Sequence, residues 1–139
     1  MHKILDGISK TLREIFPDCQ IFGDKHVGQG LNPSSFFIGL GESSTSPLPN
    51  GLVKFRQHVE VIYFPKNQGD YKELWDIGPK ALLALEQISL GDSSFTRGVS
   101  RRCTINDGLL HLHATYHLRL VPREAVELMG ELRQIKRLR

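Results

Sequence analysis

The densest group of residues able to do chemistry is His111, His113 and His117. Alternation along an extended segment brings side chains two residues apart to one face, and His58, on another alternating segment, would face them if the two strands pair. Imidazoles gathered in this way suit a zinc ion or a proton-sensitive contact. The same face also carries Thr115 and Arg119, and no carboxylate lies near in sequence to orient a ligating imidazole. Polar residues that face water or a neighbouring protein produce the same pattern, so a metal site at His111, His113 and His117 is the weaker reading.

Other motifs carry less. Gly28-Gln29-Gly30 and Gly39-Leu40-Gly41 lack the full phosphate-loop patterns and are not followed at once by a helix, so they read as turn glycines. No nucleophile elbow surrounds Ser34-Ser35, Cys103 falls on the apolar side of its segment, and carboxylates are scattered singly, which leaves no pair to divide acid and base work. The residues therefore point away from an enzyme and call for no cofactor. Lys54, Arg56, Arg97, Arg101 and Arg102 could pool charge on a sheet, but no stacking aromatics or reading helix accompany them, so specific nucleic-acid recognition is not expected.

These residues need elements to place them. In the first segment Ile4, Leu5, Ile8, Leu12 and Ile15 recur at helical steps, and Phe16-Pro17 ends that helix. A short strand follows near Cys19 to Phe22, and Phe36 to Leu40 is a second. Gly41-Glu42-Ser43-Ser44-Thr45-Ser46-Pro47-Leu48-Pro49-Asn50-Gly51 is polar and broken by prolines, so a flexible loop is expected over about 42–51, and its length suggests a contact arm. Deleting that arm should abolish assembly and leave the fold intact.

Leu52 to Phe64 alternates cleanly, with Ile62 and Phe64 interrupting its polar face; something should cover that end. Asp70 and Glu73 form a capping box for a helix with Leu74, Trp75, Ile77, Ala81, Leu82, Leu85 and Ile88 on its buried side, kinked or broken at Gly78-Pro79 and ending near Ile88. Phe95, Val99, Cys103 and Ile105 make one apolar face of a strand that turns at Asn106-Asp107-Gly108 into Leu110 to Leu120. Pro122 opens a last amphipathic helix over about 123–139. The order predicts an α+β fold in a single domain spanning 1–139: a mixed or antiparallel sheet of about four to five strands with helices mainly on one face.

Composition sets outer limits. The chain has 139 residues, 40% of them apolar, and a net charge of +3. No run nears the roughly 18 apolar residues of a membrane span, and Asp6 interrupts any signal-peptide core, so no membrane partner is expected. Cys19 and Cys103 are too far apart for metal or redox spacing and read as reduced thiols.

With these segments laid out, the chain resembles the tail terminator family of tailed phages and prophages of Gram-positive bacteria. The resemblance rests on Leu12-Arg13-Glu14-Ile15-Phe16-Pro17, on Gln29-Gly30 leading through Pro33 to Phe36-Phe37-Ile38, on His58-Val59-Glu60-Val61-Ile62-Tyr63-Phe64-Pro65, and on Asn106-Asp107-Gly108 followed by His111 to Leu120. Gly78-Pro79 and the basic ending from Arg133 depart from the pattern. Such a resemblance implies a structural virion protein of the tail, assembled in the host cytoplasm. It implies a ring, of six subunits, that caps the tail tube, terminates its growth and forms the interface for head attachment. The implied partners are further copies of the chain, the tail tube protein and a head-completion or connector protein, with DNA only as passing cargo. Surfaces for those contacts are expected at Glu42 to Gly51 and at Ile62 and Phe64. The alternatives are a head-tail connector or neck protein and, in another class, a small metal- or ligand-binding protein built on the histidine face.

Overall fold

The computed structural model describes residues 2–23, 34–67, 69–91 and 93–123. Helix α1 spans His2–Ile15, and Ile4, Ile8 and Leu12, one turn apart, are completely buried. As the proline predicts, it stops at Ile15. Strand β1 (Gln20–Phe22) runs parallel to β2 (Ser35–Pro47), and β2 pairs antiparallel with β3 (Val53–Phe64). After helix α2 (Tyr71–Ala84) come β4 (Gln87–Gly91), β5 (Ser94–Asn106) and β6 (Leu109–Leu120). The strands form one mixed sheet in the order β1-β2-β3-β6-β5-β4, giving the expected α+β class with six strands where four to five were expected.

The core lies on one side of this sheet. Ile4, Ile8 and Leu12 of α1 and Leu74, Ala81 and Ala84 of α2 pack on Phe36, Ile38, Val59, Val61, Leu110 and Leu112. Helix α1 touches both β4 and β1, the two ends of the strand order, so the sheet curls around it. Helix α2 covers β4, β5 and β6. The opposite face is left without a helix among the described residues.

Several expectations need correcting. The additional strand is β4, because Ile88 stays in helical phase with Ala81 and Leu85, yet α2 closes at Ala84 and Ile88 pairs with Thr96 in the sheet. Residues 42–47 are not a loop: Ser43 to Pro47 pair with Gln57 to Val53, so the connection shrinks to Leu48 through Leu52 around a short 3-10 turn. Composition misled because serine, threonine and an edge proline are tolerated where one face of a strand meets water. Deleting 42–51 would thus remove half of β2.

Helix α2 runs unbroken through Gly78-Pro79. Pro79 lies on the exposed side, where water can satisfy the carbonyl left without its donor, while buried Gly78 lets the helix settle onto Cys103 and Leu110. Only half of the capping box forms. Asp70 accepts from the amides of Lys72 and Glu73 at 3.1 and 3.3 Å, but Glu73 turns away to accept from the Tyr63 hydroxyl at 2.6 Å and the Lys66 amide at 2.7 Å. That contact, with burial as the larger cause, pushes the Tyr63 hydroxyl pKa well above its ordinary value.

In β5 the expected apolar face is split by a bulge. Pairing steps from Val99↔Thr115 to Arg102↔His113, one extra residue, with Ser100 at φ 54°. Side chains before the bulge change face, so Phe95 and Val99 point outward while Thr96 and Gly98 point to the core. The hairpin turn is as predicted: Asp107 and Gly108 both have positive φ, the geometry of a two-residue type I′ turn. The C-terminal helix expected over about 123–139 lies outside the described residues apart from Arg123, which with Pro122 is helical.

Closure of the sheet on α1 turns on Gly7, where a Cβ would overlap the Ser89 carbonyl oxygen of β4. Gly7→Ala should therefore destabilise by roughly 1–3 kcal/mol, as overpacking does. Gly23→Ala, with open space around it, should stay within about 0.5 kcal/mol by urea denaturation.

Candidate interaction surfaces

The uncovered face of the sheet is built on β3 and β6, which pair without interruption from Val53↔Leu120 to Tyr63↔Leu110. This register sets His58 beside Thr115 and Glu60 beside His113. His58 Nε2 lies 3.3 Å from His113 Nδ1, with the rings stacked at 5.4 Å and 19°, and His58 Nδ1 lies 3.4 Å from the Thr115 hydroxyl. His113 Nε2 lies 3.4 Å from a carboxylate oxygen of Glu60. A carboxylate that orients an imidazole is thus present, although sequence proximity did not reveal it; the signal was that Glu60 shares an alternation phase with His58.

Burial lowers the His113 pKa below the ordinary histidine value, Glu60 opposes that shift, and Arg102, His58 and His111 add to it. His117 is lowered by burial and then by Lys54 and Arg56, and its Nε2 is buried with no hydrogen-bond partner among the described residues. His111 and His117 stand six residues apart on an extended strand, about 20 Å, so His111, His113 and His117 do not converge on one ion within a chain. Among the described residues no three His, Cys, Asp or Glu side chains are grouped to hold a metal. Beside the histidine pair lies an open hollow of about 340 Å³ lined by Glu42, Ser44, Arg56, His58 and Thr115.

A second surface is apolar and was not anticipated. Tyr71, Trp75, Pro79 and Leu83 recur every fourth residue along the side of α2 away from the sheet, with Tyr71 55%, Trp75 65% and Leu83 67% exposed. Sequence reading assigned Trp75 to the buried stripe because Leu74 and Trp75 both fit an apolar face; the helix turns Leu74 inward and completely buries it. The expected contacts are distributed differently. Ile62 and Phe64 are half-buried on the uncovered face, and Ser44 to Pro47 are exposed along the outer edge of an arm made by β2 and β3. Phe55, Leu40, Leu118 and Leu120 form a separate small cluster inside that arm.

Burial, then Asp18 and Glu73, raises the Cys19 thiol, and Cys103 packs near Gly78. The Tyr116 hydroxyl, raised by burial, donates to the Leu85 carbonyl at 2.7 Å. That bond passes over Gly98, where a Cβ would lie 2.5 Å from the same carbonyl.

The lowered histidines fix the sign of a pH effect. Above about pH 6.5 His113 and His117 are neutral in both folded and unfolded chains; below it the unfolded chain takes up protons that the folded one resists, so stability falls with pH. The melting temperature should drop by a few degrees between pH 7 and 5, less in the His113→Gln, His117→Gln variant. An identical drop in that variant, read by calorimetry, would count against the assignment.

A protein-family model described as phage tail terminator protein matches residues 3–127. No match is found among curated proteins. No helix among the described residues is long and apolar enough to cross a membrane. That match spans most of the chain and places it in the phage tail terminator protein family.

Proposed function

We propose that this chain works as one domain that assembles head to tail into a ring, of six copies, on the end of the tail tube. There it stops tube growth, offers its other side to a head-completion protein, and catalyses nothing. It is a virion component assembled in the host cytoplasm. The family supports a structural role in the tail, and the exposed Tyr71, Trp75, Pro79 and Leu83 stripe is the observation that carries assembly, because a stripe this apolar on a helix is a surface for another protein.

Head-to-tail rings need two different patches per subunit, each meeting the other on the next copy. Helix α2 covers the β6-β5-β4 half of the sheet, whereas the polar arm of Ser44 to Pro47 sits toward the other end of the strand order. A second copy is therefore the occupant assigned to the stripe, with its β2–β3 arm lying along α2. Two substitutions test this, Trp75→Ser and Leu83→Ser together. Both side chains are already exposed, so the melting temperature should change by no more than about 2 °C. Native mass measurement, alone and with tube subunits, should show loss of the oligomer and of tube-end binding. A double variant that assembles like the parent would remove the stripe from the interface.

A further inference from the structure

The uncovered face of the sheet carries a charge pattern separate from the apolar stripe of α2, with Lys54 and Arg56 standing on the β2–β3 arm beside Ser46 and Ser44. Lys54 and Arg119 are paired across β3 and β6, Arg56 stands one pleat further on beside His117, and Arg102 stands beside His113. Arg97 is exposed on the same side, since Thr96 and Gly98 on either side of it point to the core. None of these five cations has a carboxylate within ion-pair reach among the described residues. Of the carboxylates on this face, Glu60 is engaged by His113, and Glu42 lies at the rim of the hollow. Arg101, which the bulge turns to the other face, instead donates to the Leu82 carbonyl at the end of α2 at 2.7 Å.

We propose that this face binds the phosphate backbone of duplex DNA without reading its sequence. Charge complementarity is the first argument. Duplex DNA carries one negative charge per about 1.7 Å of axis, and the sheet holds its cations on a fixed grid with steps of about 5 to 7 Å. The second argument is composition. Protein interfaces centre on apolar residues, and here the exposed apolar stripe lies on α2; Ile62, Phe64, Phe95 and Val99 also belong to the uncovered face, but the rows from Lys54 to Glu60 and from His113 to Arg119 are polar and basic, as DNA-binding surfaces are. The third is what the face lacks among the described residues: it offers no helix to enter a groove, so contact stays with phosphates. The inference stands on this face whether or not copies form a ring.

The test is fluorescence anisotropy with two 30-base-pair duplexes of unrelated sequence in 50 mM NaCl at pH 7.5, on the full chain. Expected are equal affinities for the two within about twofold, and weakening of at least tenfold between 50 and 200 mM NaCl. Lys54→Gln, Arg56→Gln, Arg119→Gln together should weaken binding at least tenfold and shrink the salt slope by about 3. Lys3→Gln, Lys10→Gln, Lys72→Gln remove the same charge from the helix side and should weaken binding less than threefold. The Trp75→Ser, Leu83→Ser variant should bind as the parent does, which separates failure of this proposal from failure of ring assembly. No binding below about 100 μM protein, or equal loss in the two glutamine triples, overturns it.

Discussion

The fold depends on how closely α1 can approach the edge strand β4. A six-stranded sheet with helices on one side could lie open, but here both ends of the strand order meet the same helix, and the backbone at Gly7 comes against the Ser89 carbonyl with no room for a side chain. Ile4, Ile8 and Leu12 then fill the concave side completely. With both described helices on that side, the convex side is left, among the described residues, mostly to polar residues beside Ile62, Phe64, Phe95 and Val99, and α2, lying over the far half, turns its second apolar stripe to solvent. Both candidate interaction surfaces are thus consequences of one close contact.

Within the sheet, the single-residue bulges in β2 and β5 decide what each face presents. The one in β2 sets Gly41 and Glu42 opposite His58 and is held by Gln57, whose buried amide donates to the carbonyls of Gly41 and His58 at 3.0 and 2.8 Å. The one in β5 turns Arg102 toward His113 and sends Arg101 to cap α2. Because side chains alternate with period two, each bulge exchanges the faces of everything beyond it. The histidine pair, the basic rows and the outward Phe95 all follow from where these residues are inserted.

This explains which parts were legible in the sequence. The α1 stripe, the β3 alternation and the Asp107-Gly108 turn are local patterns whose period or φ requirement belongs to a few neighbouring residues, and each was found where expected. The bulges leave no such mark: Ser100-Arg101 is an ordinary pair of residues, so an unbroken alternation from Phe95 to Ile105 was the natural reading and put Phe95 and Val99 inside. The stretch Glu42 to Pro47 reads as loop by composition and is strand only because β3 supplies a partner. Glu60 and His113 are 53 positions apart, and only the β3–β6 register joins them. As for Trp75, adjacent apolar residues on a helix cannot both face a narrow groove, and which one wins is set by packing.

Helix α2 is clamped at both extremities. Glu73 fastens its first turn to Tyr63 and the Lys66 amide, while Arg101 and Tyr116 hold the carbonyls of Leu82 and Leu85 at its last. The exposed row between them therefore behaves as a stiff rail and loses little freedom when it is covered. A body that settled there would have to do the adapting, so the entropic cost of joining would fall on it, and the rail would dictate the angle at which it sits.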